Sequence, residues 1–480
     1  MSGFSRTWGA LMKLNSLVAG LVASLTVIAI GHAQQQNRAS ATDANAPTFS
    51  KDVAPIMFNK CASCHRPGEV APMSLLSYAD ARPWAGAIRQ KVSTRAMPPW
   101  HADPAHGTFR NDLRLSDREI DTLVRWVDGG AREGDRAALP PLPRFPEGWQ
   151  IGAPDAVFEM TQDFEIPASG EIAYQYFEVP TNFKEDRWMQ AGEVRAGDRA
   201  HVHHIIVYVR EPGRTARPNV VSVRPILNNS SSLATAPQAA SSATAERVAA
   251  AAAALASRQG GGVAQGGGRP PGGGDAMLVN WAVGEDAPIH LPGTAKRIPA
   301  GSTLVFQVHY TTNGKPGRDR SRLGLVFAKQ PPEKEIRTGL ITNAVFAIPP
   351  GEGNHSVEAE ATFSEDVKIY SMHPHMHLRG KDMTYTATYP DGRKEILLRV
   401  PKYDFGWQTD YWLSNPLTLP KGTKVHVAAH FDNSPANRAN PDPKATVRWG
   451  DQTWEEMMIG FFTYTVESTP ANTQQAPLLR

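Results

Sequence analysis

Polar and apolar positions along the chain follow two different periods. From about Ala46 to Gly134 apolar residues recur at helical spacing. Val53, Ile56 and Met57 follow Ser50-Lys51-Asp52, and Ile120, Leu123, Val124, Trp126 and Val127 follow Ser116-Asp117-Arg118-Glu119, whose serine and glutamate form a capping box. Asp128-Gly129-Gly130 stops that helix, so the pattern predicts a small all-α domain over residues 46–136. A proline-rich stretch, Pro140 to Pro146, marks a linker over residues 137–155.

Beyond the linker the period changes to two. Ala173 to Val179, His204 to Val209, Ser302 to Tyr310, Val367 to Met372, Thr384 to Tyr389, Lys424 to His430 and Gly460 to Val466 alternate as strands do, separated by turn clusters such as Asn313-Gly314-Lys315-Pro316 and Pro390-Asp391-Gly392. Short strands between frequent turns are the pattern of antiparallel β-sandwiches. The length of the region predicts two such all-β domains, at residues 156–335 and 336–470. Residues 228–274 interrupt the first with an alanine run, Ala249 to Ala254, and two glycine-rich tracts ending in Arg269-Pro270-Pro271-Gly272. Such composition buries too little apolar surface to order itself and reads as an insertion in a surface loop. A long loop adds little closure entropy, so sequence flanking it can still meet in space.

Composition narrows the function classes. The 480 residues carry 50 basic and 47 acidic side chains, a formal charge of +3, with no basic cluster on one predicted element; nucleic acid and anionic lipid are poor partners for such a surface. Arg6 and Lys13 precede an apolar run, Leu17 to Ile30, and Gly31-His32-Ala33. The run is shorter than the roughly 20 residues a membrane span needs. It reads as a secretory signal peptide over residues 1–33, which predicts a periplasmic or secreted protein without a membrane span after cleavage near Ala33.

Two cysteines are the whole complement, and both lie in Cys61-Ala62-Ser63-Cys64-His65. No structural disulfide is expected. The motif fits c-type haem attachment, with two thiols for the porphyrin vinyls and His65 as proximal iron ligand. Cysteines three apart would lie on one face of a helix. For the distal ligand, Met97 in Ala96-Met97-Pro98-Pro99-Trp100 is preferred over Met73, because flanking prolines stiffen a non-helical loop. Residues 46–136, with Arg66-Pro67-Gly68-Glu69 and the helix near Trp126, resemble the class I cytochromes c fused to bacterial copper enzymes; the resemblance implies one-electron transfer.

Each of the fifteen histidines needs a reason to count as a ligand, because a lone histidine is more often a surface or hydrogen-bonded residue. His101, His106, His290 and His355 lie in loop-like sequence without a partner at ligand spacing. His373, His375 and His377 alternate, which on a strand would place them on one face. His203 and His204 are adjacent and would face opposite ways unless the strand bulges or ends there. Five imidazoles at 203, 204, 309, 375 and 377, with the Met457 thioether, make two soft-metal ligand sets, and a thioether beside two histidines shifts preference toward copper(I).

His203-His204, Gln307-Val308-His309-Tyr310, His375-Met376-His377-Leu378-Arg379-Gly380-Lys381 and Glu455-Glu456-Met457 resemble, in order, the motifs of the copper type II ascorbate-dependent monooxygenases, the family of peptidylglycine α-hydroxylating monooxygenase and dopamine β-hydroxylase. The resemblance covers about residues 155 to 467. It implies two copper ions: an electron-transfer site at His203, His204 and His309, and an oxygen-binding, catalytic site at His375, His377 and Met457. It further implies hydroxylation of a substrate C–H bond with dioxygen, ascorbate serving as reductant unless the haem supplies the electrons. This chain departs from its animal counterparts in lacking cysteines here and in carrying His373 and Phe461 where the peptide-hydroxylating enzyme has its substrate arginine and tyrosine. A carboxylate-terminated peptide is therefore a poor substrate. His201, His373, His426 and His430 are candidates for supporting either metal. Two other readings stay open: a periplasmic haem and copper electron-transfer or copper-handling protein without turnover, and a zinc hydrolase, which Met457 and the lack of an adjacent general base disfavour.

Overall fold

A computed structural model describes residues 46–67, 69, 71–145, 148–213, 221–226, 276–282 and 287–467. The expected signal peptide and the low-complexity stretch at 228–274 lie outside the described residues.

The expected plan of a substantial all-α domain followed by two separate β-sandwich domains is overturned. Among the described residues strand outweighs helix, 39% against 12%, with four main sheets in a four-bladed, propeller-like β arrangement. The helices are short: Ala54–Lys60, Tyr78–Ala81, Ala85–Ser93 and Asp117–Asp128. The expected capping box is present, with the Ser116 hydroxyl accepting from Glu119 N–H and the Glu119 carboxylate accepting from Ser116 N–H.

The chain forms two compact units. Among described residues the smaller contains 46–62, 73–97 and 115–142, and the larger contains 63–72, 98–114 and the rest. Phe49, Val53, Met57, Leu123 and Trp126 form the core of the smaller. Burying side chains of this size contributes about 1.5–3 kcal/mol each.

In the larger unit, one five-stranded sheet runs Ala156–Glu159, Arg322–Phe327, Arg187–Arg195, Thr294–Ile298, Lys334–Glu335, and a four-stranded sheet runs Gln175–Pro180, Thr303–Tyr310, Val202–Arg210, Ala276–Ala282. A second five-stranded sheet runs Lys394–Val400, Gly380–Thr388, Lys424–Phe431, His355–Phe363, Val221–Ile226, and a second four-stranded sheet runs Arg337–Thr342, Ile459–Val466, Val367–His375, Tyr411–Leu419.

Two connections break the expected serial domains. Strand 221–226 lies within the first predicted sandwich, yet pairs antiparallel with 355–363 in the second, Glu358 opposite Ile226 and Phe363 opposite Val221. Trp100 and Phe109, expected in the helical domain, pack with Tyr411 at ring separations of 5.0 and 5.5 Å, and Phe109 bridges to Leu413. Large aromatic rings are buried wherever an apolar layer accepts them, and periodicity says nothing about which layer that is. Among the described residues no helix is long and apolar enough to cross a membrane.

Candidate metal centre

The centre lies where the two four-stranded sheets present histidines toward each other. On strand 202–210 the pairing with 303–310 slips between Val202, opposite Tyr310, and His204, opposite His309. This irregularity at His203 meets the bulge condition that adjacent histidine ligands impose. His203, His204 and His309 thus offer ligand atoms that all lie within 4.8 Å of one another. His203 Nδ1 is 3.0 Å from His204 Nδ1, and the His309 ring is 5.0 Å from each of the other two. His204 and His309 are buried, and His309 Nδ1 has no hydrogen-bond partner. The triad could hold a metal ion.

His375 and His377 form a second group, their rings perpendicular at 5.3 Å. The expectation that His373, His375 and His377 share one face of a strand holds only in part. His373 and His375 stack nearly parallel at 6.3 Å, but the strand ends at His375. Past that point the N–H groups of His377 and Arg379 donate to the two carboxylate oxygens of Glu456, at 2.8 and 2.6 Å, and not to a neighbouring strand. Gly380 closes this turn; a Cβ there would sit 2.7 Å from Met376 Cβ and 2.8 Å from a Tyr403 ring carbon.

Each histidine of this pair is held by one ring nitrogen. His375 Nδ1 lies 2.6 Å from Gln408 Oε1, and His377 Nδ1 lies 3.2 Å from the Glu455 carbonyl. His377 Nε2 is buried without a partner. An imidazole anchored through Nδ1, with its other nitrogen free in a buried space, is how metal-ligating histidines are oriented. Met457, half-buried, directly follows Glu456. Joined by the Met457 thioether, the two imidazoles would make a donor set that suits a soft ion.

The two groups share two aromatic walls. Tyr174 meets His204, His309 and His377 at ring separations of 5.6, 5.0 and 6.4 Å. Phe405 stacks on His203 at 5.2 Å and meets His309 and His377 at 5.7 and 5.9 Å. The segment before Met457 stitches the groups together: Gln452 Oε1 accepts from Tyr174 N–H, Thr453 Oγ1 lies 3.4 Å from His309 Nε2, and Glu455 supplies the carbonyl on His377.

Burial disfavours the charged imidazolium throughout. It pushes His203 and His375 down to about 4 and His377 to about 3, with His204 and His309 well below the ordinary value. A lowered pKa means weaker competition from protons, so the imidazoles are neutral and ready to ligate from pH 7 down to about 5. The expected result is that zinc(II) affinity, measured by chelator competition, stays within a few-fold across pH 5 to 7. A steep loss on crossing pH 6.5 would show that the histidines titrate as exposed ones do.

The remaining histidines divide clearly. His201 uses both ring nitrogens in a turn, on Asp198 and the Lys315 carbonyl. His426 pairs with Glu358 and His430 with Asp382, away from the metal ligands. Of these four candidates only His373 adjoins the centre. The motif of Cys61, Cys64 and His65 lies in a turn after helix 54–60, so the helical-face argument for its spacing is corrected. Both thiols are half-buried and neither is in a disulfide. Cys61 belongs to the smaller unit and Cys64 and His65 to the larger. Met97 is half-buried in the bend before Pro98, whereas Met73 packs against the helical core.

Sequence reasoning missed Tyr174, Phe405, Gln408 and Glu456 as parts of the centre. Only Glu456, next to Met457, carried any local signal.

No protein-family model matches the chain, and no curated protein matches it. Among solved structures, it is similar at 11% identity to infectious bursal disease virus of the Gt strain (68% of this chain, 87% of that one, TM-score 0.12) and at 12% to the Gx strain (65% and 79%, TM-score 0.13). At such TM-scores the likeness carries no argument about fold or function.

Proposed function

We propose that the chain is an exported copper-dependent monooxygenase of the copper type II ascorbate-dependent kind, which hydroxylates a substrate C–H bond. The balance is substrate C–H plus dioxygen, two electrons and two protons giving the alcohol and water. The observation that carries this reading is the gathering of five imidazoles, four of them buried and His203 half-buried, into a triad and a pair across the shared rings of Tyr174 and Phe405. Two neighbouring imidazole groups suit stepwise electron delivery, and the Met457 thioether favours a redox ion over zinc.

In this reading His203, His204 and His309 hold one copper, and His375, His377 and Met457 hold the other. When bound, copper supplies one-electron redox chemistry and dioxygen activation. Gln408 and the Glu455 carbonyl keep His375 and His377 presenting their outer nitrogens, and the Tyr174 and Phe405 rings exclude water from the space between the groups. The thioether favours the reduced ion. Cys61, Cys64 and His65, with Met97 as distal ligand, would hold a haem c that feeds electrons singly, in place of ascorbate or beside it.

The test is metal and haem quantification on protein exported to the periplasm, then oxygen uptake with a substrate panel and either ascorbate or a haem reductant. The expected outcome is two coppers and one haem per chain, with substrate-dependent uptake that His375→Ala abolishes. Zinc in the native protein, or haem reoxidation with no substrate consumed by any donor, would replace the reading with a hydrolase or an electron-transfer protein respectively.

A further inference from the structure

Beside His375 lies a small cavity whose lining includes none of the five imidazoles of the centre. It is bordered by His290, Lys296, His373, Asp410, Trp412 and Phe461 and measures about 20 Å³, room for one water-sized group. It adjoins the centre directly: His373 stacks on His375, and Phe461 lies 5.9 Å from His373 and 6.1 Å from His375.

Its polar groups are unevenly satisfied. His290 is 4% exposed, and neither of its ring nitrogens has a hydrogen-bond partner. His373 Nδ1 stands 3.5 Å from Asp410 Oδ1 without making a hydrogen bond to it. A buried polar group left unpaired is destabilising, so these nitrogens favour a ligand that pairs with them. Lys296, by contrast, is saturated. Its ammonium donates to the Met277 and Leu278 carbonyls and to Thr338 Oγ1, at 3.2, 2.9 and 3.0 Å, which uses all three of its donors. Asp410 also attracts its charge. Arg110, exposed, lies over the Trp412 ring at 4.6 Å.

We propose that this cavity is the subsite for a neutral donor–acceptor group of the substrate, a hydroxyl or amide on an apolar body, and that His290 and His373 select it. A neutral imidazole carries one donor and one acceptor, which a hydroxyl or amide matches together. A carboxylate would find no spare donor on Lys296, and an ammonium would meet an Asp410 that the Lys296 charge already attracts. Phe461 and Trp412 supply the apolar walls. That the ligand is a substrate rests on the monooxygenase reading; the preference for a neutral group rests on the cavity alone.

The test uses the full-length protein and four probes of one shape: benzyl alcohol, benzamide, benzoate and benzylammonium. Binding is read by calorimetry and by the imidazole nitrogen shifts of His290, neither of which needs turnover. The neutral pair is expected to bind roughly tenfold tighter than the charged pair and to move the His290 shifts. His290→Phe should lose that margin and His290→Gln, which keeps a donor and an acceptor, should regain part of it. Tighter binding of either charged probe, no binding of the neutral pair, or unmoved His290 shifts in the wild-type protein overturns the proposal without recourse to a variant. The neutral preference with no oxygen uptake would sink the monooxygenase reading and leave the subsite standing. Turnover of a charged substrate by both wild type and His290→Phe would do the reverse.

Discussion

His309→Ala is expected to lower the metal content of the loaded protein by one ion per chain while the site at His375 and His377 keeps its own. His309 sits at 5.0 Å from both partners of the triad, with a buried nitrogen that nothing else pairs. Loss of a mere supporting residue around a metal costs 10–100-fold in affinity, so loss of a ligand costs about 100-fold or more. This has a thermodynamic reading. An ion present at 100 times its dissociation constant stabilises the folded chain by about 2.7 kcal/mol, and a 100-fold weaker site leaves about 0.4 kcal/mol at the same concentration. Denaturation with and without metal checks this, alongside direct metal counting. A variant that binds the same number of ions with the same affinity would remove His309 from the centre.

Glu456→Ala should be the most damaging single change outside the ligands. Glu456 is fully buried, and its two oxygens accept the N–H groups of His377 and Arg379. Arg379, equally buried, is fixed in turn by Asn433 Oδ1 and the Trp454 carbonyl at 2.8 and 2.9 Å. Alanine leaves two buried donors unpaired, a cost of about 2–5 kcal/mol in total. It also frees the turn carrying His377 from the segment carrying Met457, so metal affinity at that site should fall 10–100-fold. Glutamine keeps one acceptor but turns an N–H toward the other donor, so Glu456→Gln should fall between.

A pH dependence follows from the same residue. Burial pushes the Glu456 carboxyl up to about 8, against the pull of the backbone donors and of Arg379. Between its unfolded value near 4.5 and about 8 the folded state holds the extra proton, so this group's contribution to stability declines as pH rises through that window. The stability difference between wild type and Glu456→Gln, followed by denaturation from pH 5 to 8, should shift against wild type with rising pH. A flat difference would show that Glu456 is ionised throughout.

The sequence by itself determined the strands and the ligand residue types. The period-two segments at 204–209, 302–310, 367–372, 424–430 and 460–466 coincide with strands to within a few residues, because alternation reports burial of one face and that is a local property. The register slip at His203 is the bulge that convergence of two adjacent imidazoles requires, a condition the sequence stated but did not settle.

Only the tertiary structure decided partnership. Nothing in alternation tells strand 221–226 to join 355–363, or the 98–114 segment to leave the helices for Tyr411, because a strand edge and an apolar ring accept any partner that supplies hydrogen bonds and contact area. The same holds within the centre. Gln408 lies 33 residues from His375, and Glu456 lies 79 from His377. His290 read as an unremarkable loop residue until burial left both its nitrogens unpaired. The histidine and methionine types were written in the sequence, whereas imidazole orientation, the shared aromatic walls and the polar cavity arise from contacts between distant segments that no local pattern encodes.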